Sequence, residues 1–245
     1  RGVAPSPGGL TLELGFTPGG TDCLLVIDVQ VDFMPRGALE VADGTAAIPL
    51  VNALVERFER EAHVVYSQDW HPPQHASFAS QHPGKRPYDE VPAPYGVQTL
   101  WPDHCVQGTT GSKFHGDLAI PARALIVRKG FRREIDSYSA FFENDKCTAT
   151  GLAGHLAALG VTRVFVVGVA YDFCVRYSAE DAARCGFTSV IVRDATRAVG
   201  LPGTVEAADK GALEAGVLVV ESGGIAAALG PGAGATTTAG HPQQQ

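Results

Sequence analysis

The sequence predicts an α/β fold: three layers, α/β/α, around a central, mostly parallel six-stranded sheet. Three observations carry this. Apolar runs of strand length alternate along the chain with segments of helical period. The runs at Cys23–Val29 and Arg163–Val169 are almost wholly apolar, as strands covered on both faces must be. Glycines stand where helical segments should stop, at Gly160 and Gly186.

Taken in order, Cys23–Val29 is the first strand. Val51, Leu54, Val55 and Phe58 follow at helical spacing and predict a helix near Ala46–Glu61. Val64–Ser67 and Ala124–Lys129 are the next strands. Thr150–Leu159 reads as a helix, Arg163–Val169 as a strand, and Phe173–Cys185 as a helix. Ser189–Val192, a helix near Thr204–Ala215 and the strand Val217–Glu221 complete the pattern. Strand, helix, strand in succession requires right-handed crossovers and so a parallel sheet. Residues 69–123 resist this scheme. They are rich in His, Pro and Gly, and a connection this long without a period is usually functional.

The chain divides into an N-terminal extension at 1–20, a folded domain at 21–225 and a flexible C-terminal tail at 226–245. Both ends are Gly-rich, with a short strand expected at Leu10–Leu14. A chain of 245 residues buries roughly 70–75% of its unfolded surface and needs no disulfide staple. Hydrophobic residues at 45% and charged residues at 18% exclude a disordered chain. The net charge of −7 argues against a nucleic-acid or anionic-membrane binder. Five cysteines without C-x-x-C spacing argue against a disulfide framework or zinc ribbon. Free thiols suit a reducing compartment, so a cytoplasmic location is expected, with a removed targeting segment left open. No apolar run reaches the roughly 20 residues of a membrane span.

Ligands of open parallel sheets bind beyond the carboxyl ends of the strands. Four kinds of chemistry stand there: Asp28 after the first strand, Asp69-Trp70-His71 after the second, Lys129 after the third and Cys174 after the fourth. Cys174 should lie near a helix N-terminus, where the dipole and a neighbouring lysine would favour a thiolate. Its bland alternative is a small core residue. Asp28 is the candidate base, its pKa raised by burial, or else a turn-capping carboxylate. Asp69 and His71, two apart on an extended segment, face one side and could bind a metal together with His75, His82 or His104. A carboxylate with imidazoles suits zinc, iron or manganese. Phe33 and Trp101 are core aromatics that could also stack on a flat ring.

These residues fall within longer motifs: Ile27-Asp28-Val29-Gln30 through Asp32-Phe33, Ser67-Gln68-Asp69-Trp70-His71-Pro72, Trp101-Pro102-Asp103-His104-Cys105-Val106, Lys129-Gly130, Asp136-Ser137-Tyr138-Ser139-Ala140-Phe141, and Gly168-Val169-Ala170 to Asp172-Phe173-Cys174-Val175. Over about residues 22–200 the chain resembles the nicotinamidase (pyrazinamidase) branch of the isochorismatase-like cysteine hydrolases. The resemblance implies hydrolysis of nicotinamide to nicotinate and ammonia in NAD salvage, with a catalytic triad of Asp28, Lys129 and Cys174. It implies an oxyanion hole at the backbone amides of Ala170 and Cys174 and a cis peptide before Ala170. A divalent metal, zinc before iron or manganese, is expected on Asp69, His71 and His104. A fourth protein ligand is left open between Ser77 and His75. Phe33 and Trp101 become the walls of the substrate pocket. A homo-oligomer is compatible with the resemblance. Two positions depart from the family pattern: Val31 stands where many members have Asn, and Tyr171 where many have Thr. The nearest alternative is a cysteine amidohydrolase of the same superfamily acting on a ureido or carbamoyl substrate, but such relatives generally lack the metal site. A non-catalytic ring-binding protein is the alternative of another class, and the intact triad argues against it.

Overall fold

The computed structural model describes residues 16–229. The strand expected at Leu10–Leu14 and residues 230–245 lie outside the described residues. Six strands form one sheet: β1 (Asp22–Ile27), β2 (His63–Asp69), β5 (Leu125–Lys129), β6 (Arg163–Val169), β7 (Thr188–Arg197) and β8 (Leu218–Val220). Their order is β5-β2-β1-β6-β7-β8, and every neighbouring pair is parallel. The expected six-stranded α/β/α sheet is therefore observed, and it is entirely parallel.

Alternation along β1 sorts its side chains onto two faces, because strand residues point up and down in turn. Leu24 and Val26 meet Val51, Leu54, Val55 and Phe58 of α1 (Ile48–Phe58), all buried. Cys23, Leu25 and Ile27 meet the other layer: Leu152 and Leu156 of α2 (Leu152–Ala158), Ala179 and Ala182 of α3 (Arg176–Arg184), and Ala208 and Ala212 of α4 (Thr204–Glu214). Small alanines on α3 and α4 let those helices approach the sheet closely. Phe16 packs on Phe58 and Phe165, so chain before β1 joins the core. The short α5 (Ile225–Ala228) runs across the expected domain boundary at 225, with Ile225 buried.

Three elements differ from the expectation. The irregular region contains an antiparallel hairpin, β3 (Glu90–Ala93) and β4 (Gly96–Thr99). Its four-residue strands, one interrupted by Pro92, carry too little alternation to be read from sequence. β7 extends to Arg197, beyond its apolar run, because its partner register shifts between Val166 and Gly168. The helix expected at Phe173–Cys185 begins as a π-helical turn, Tyr171–Val175, before α3.

Gly168 explains how β6 fits. Its φ is +106°, and a Cβ there would stand 2.1 Å from the carbonyl oxygen of Ile27 on β1. Only glycine lets the two strands stay paired where the site begins. Among the described residues, no helix is long and apolar enough to cross a membrane.

Candidate active site

The carboxyl ends of β1, β2, β5 and β6 lie side by side, and each delivers one expected site residue. Asp28 follows β1 at φ +47°, a left-handed conformation that aspartate tolerates better than most residues. Asp69 and Lys129 end β2 and β5 and are register partners. Cys174 sits in the π turn after β6. The peptide bond between Val169 and Ala170 is cis.

Lys129 is 1% exposed and forms the hub. Its ammonium donates to Asp69 Oδ1 (2.5 Å), to the Ser137 carbonyl (2.9 Å) and to Cys174 Sγ (3.4 Å). Those three bonds use all three of its hydrogens. Asp28 Oδ2 lies 2.9 Å from Nζ but off a hydrogen-bond line, so that attraction is electrostatic. Ser67 Oγ donates to Asp28 Oδ1 at 2.7 Å, while Oδ2 is buried with no hydrogen-bond donor. Oδ2 thus has a lone pair to spare. Ligand atoms of Asp28, Asp69 and Cys174 all lie within 4.8 Å of one another.

Burial pushes the Asp28 carboxyl up to about 6, against the pull of Lys129. Burial would likewise raise Asp69, but Lys129 and His71 outweigh it and hold Asp69 well below the usual carboxylate range. For Lys129, burial favours the neutral amine, and Asp28 and Asp69 outweigh it to keep the ammonium firmly protonated. The thiol overturns an expectation. Burial, together with the charges of Asp28 and Asp69, raises Cys174 well above its ordinary value, and Lys129 offsets this only in part. The π turn also holds Cys174 ahead of the regular helix. A resting thiolate is therefore not favoured, and a base is required.

Beside this cluster stands a second one. Asp69 Oδ2 is 3.7 Å from His71 Nε2 and 3.8 Å from His104 Nε2. His71 Nδ1 donates to the Gly130 carbonyl and His104 Nδ1 to the Pro102 carbonyl, each at 2.8 Å. Carbonyls only accept, so both rings carry hydrogen on Nδ1 and turn Nε2 toward Asp69. Gly130 is glycine for the same reason. At φ +62°, a Cβ there would lie 2.4 Å from His71 Cε1. Of the histidines left open by the sequence, the fold brings His104 to Asp69 and His71. His75 is buried nearby, but its Nδ1 meets Ser77 Oγ at 2.7 Å and its Nε2 meets the Ile135 carbonyl at 3.2 Å. His75 and Ser77 thus occupy each other. His82 bonds the Ala76 carbonyl.

A pocket opens between the two clusters. Phe33, Trp101, Ala170, Cys174, Asp69, His71 and His104 all line it, so every pocket residue singled out in the sequence, apart from Asp28 and Lys129 beneath the floor, faces one space. Sequence reasoning did not assign Phe173, Tyr138 and Asp136, which also line it. Tyr138 and Asp136 stand in the quoted Asp136–Phe141 motif, but nothing local to that motif says that its side chains point inward.

The isochorismatase domain model matches residues 22–221. A nicotinamidase of Acinetobacter baylyi is 46% identical over 214 residues, covering 87% of this chain and 99% of the relative. Among solved structures, a nicotinamidase/pyrazinamidase of Acinetobacter baumanii aligns at TM-score 0.80 and 47% identity, covering 83% of this chain and 97% of that one. A pyrazinamidase of Pyrococcus horikoshii in complex with zinc aligns at TM-score 0.69 and 35% identity, covering 82% and 99%.

Proposed function

The chain belongs to the isochorismatase domain family, and from that premise and the chemistry of its pocket we propose that it hydrolyses nicotinamide to nicotinate and ammonia through a cysteine thioester. Such an activity serves NAD salvage. One observation supports the reading above the others. A buried cysteine, a buried ammonium and a carboxylate oxygen without a donor meet at the floor of an aromatic pocket that is also lined by two imidazoles and a carboxylate placed to hold a metal. Release of ammonia and nicotinate from nicotinamide by the purified, metal-supplied protein is the direct test.

In this reading the pyridine ring lies between Phe33 and Trp101. Asp28 Oδ2 takes the Cys174 proton, and the sulfur attacks the carboxamide carbon. Backbone amides of Ala170 and Cys174 hold the tetrahedral oxyanion, each donor contributing about 2.7–4 kcal/mol. Asp28 then protonates the departing nitrogen and ammonia leaves. It next takes a proton from water, which cleaves the thioester, and finally returns that proton to the sulfur. Lys129 neutralises the two carboxylates beside it and meets the developing thiolate.

Asp69, His71 and His104 offer one carboxylate oxygen and two oriented imidazole nitrogens, a donor set that fits a divalent metal, zinc foremost. When bound, the metal supplies an anchor for the ring nitrogen and draws electron density from the ring. His71→Ala should lose metal by elemental analysis and raise KM for nicotinamide at least about tenfold, the lower end of what losing even a group that supports a metal ligand costs. Wild-type metal content in that variant would remove His71 from the ligand set.

The base assignment sets the pH profile. Asp28 must be ionised to accept a proton, and its carboxyl titrates at about 6. Turnover should therefore fall about tenfold per pH unit below that value and level off above it. The acid limb of kcat/KM for ammonia release checks this. A limb centred on the ordinary thiol range would point to Cys174 ionising without Asp28.

A further inference from the structure

We propose that Gln98 is a positioning residue for the substrate, fixing the Trp101–Tyr138 wall of the pocket from the β3–β4 hairpin. The hairpin is otherwise a surface feature: Val97 is 68% exposed, whereas Gln98 beside it is 2% exposed. A buried side-chain amide is costly unless its bonds are met, and an aliphatic residue would fill the space more cheaply. Here the bonds are met, and two of the partners, Asp136 and Tyr138, line the pocket. Gln98 Nε2 donates one hydrogen to Asp136 Oδ2 (2.9 Å) and the other to the Thr99 carbonyl (2.6 Å), and Tyr138 Oη at 3.3 Å can only share one of the two in a bifurcated contact. Tyr95 Oη donates to Gln98 Oε1 at 3.0 Å. Asp136 Oδ2 and the Thr99 carbonyl only accept, so the amide cannot be turned over.

Tyr138 Oη also receives Trp101 Nε1 at 3.2 Å. Both of its neighbours are donors, which leaves its own hydrogen for a ligand in the pocket it lines. The two rings stand nearly perpendicular, and Phe173 packs edge-on against each. One amide thus sets the direction of a hydroxyl and, through it, the plane of the indole. Position 98 and the pair at 136 and 138 come from separate segments, and the hairpin is what joins them.

The substrate named in this proposal rests on the nicotinamide reading. The test compares wild type, Gln98→Met, Tyr138→Phe and the double variant, each checked for a native circular dichroism spectrum. Gln98→Met should raise KM for nicotinamide about tenfold while kcat stays within about twofold. A merely structural loss would instead lower the active fraction, and so kcat, with KM unchanged. The double variant should be no worse than Tyr138→Phe alone, since both remove one linked interaction. An unchanged KM in Gln98→Met, or full additivity, overturns the proposal. If Gln98→Met does not fold, an unchanged KM in Tyr138→Phe overturns it. Nicotinate affinity, followed by tryptophan fluorescence, gives the same comparison without turnover, so an inactive wild type would sink the nicotinamide reading while Gln98 is still decided.

Discussion

Cys174→Ala should lower ammonia release at least about 10⁴-fold, the scale set by removing the nucleophile from a working triad. Binding should survive. The substitution removes one sulfur atom from the pocket lining and leaves Phe33, Trp101 and the metal donors in place. Isothermal titration with nicotinamide, run beside the activity assay, separates the two outcomes. Wild-type protein quenched during turnover should carry a nicotinoyl adduct on the peptide containing Cys174, visible by mass spectrometry, and the variant should carry none. Turnover near the wild-type rate would end the nucleophile assignment. Weak binding with no adduct in either protein would end the thioester mechanism.

Lys129→Met should be the most damaging change to the site that leaves the nucleophile intact. The methionine fills much of the same volume but removes the buried cation that Asp28 and Asp69 share. Two carboxylates close together in a desolvated site cannot both stay ionised, so one takes up a proton. His71 still favours the ionised form of Asp69, so that proton should fall on Asp28, and the base is lost. Breaking a buried ion pair on one side costs about 3–5 kcal/mol, so the variant should also unfold at lower denaturant. Turnover should drop at least about 10³-fold, with part of the lost stability returning at acid pH as the stranded carboxylate protonates. The checks are urea melts at two pH values and single-turnover assays. A variant with undiminished stability and an unmoved acid limb would show that Lys129 is not the hub its contacts describe.

Much of this was legible in the sequence, and the reason is geometric. A parallel sheet displays the residues that follow its strands, so Asp28, Asp69, Lys129 and Cys174 could be picked out by position before any contact was known. The helix expected near Ala46–Glu61 and found at Ile48–Phe58 was equally plain, because the spacing of Val51, Leu54, Val55 and Phe58 keeps one face apolar. Other features depend on tertiary surroundings. The thiol's raised pKa comes from burial beside two carboxylates, whereas local position pointed to the opposite sign. Gln98, Asp136 and Tyr138 are ordinary polar residues until the hairpin folds inward. The hairpin itself has strands of four residues each, too short to leave a period. The choice of His104 over His75 and His82 turned on ring orientation, which sequence spacing does not encode.

The hub at Lys129 also bears on the order in which the molecule is made. Apart from the Ser137 carbonyl eight residues on, its acceptors are far away along the chain: Asp69 stands 60 residues earlier and Cys174 45 residues later. Each of these two bonds closes a long loop, so neither can be present while only local helices and turns have formed. A lysine and two acids left in water until then have no reason to meet. The charged cluster must therefore condense late, once β5, β2, β1 and β6 are in register. Assembly of the pocket floor then reports pairing of those four strands, and a chain that stalls earlier emerges with Asp28, Asp69, Lys129 and Cys174 still apart.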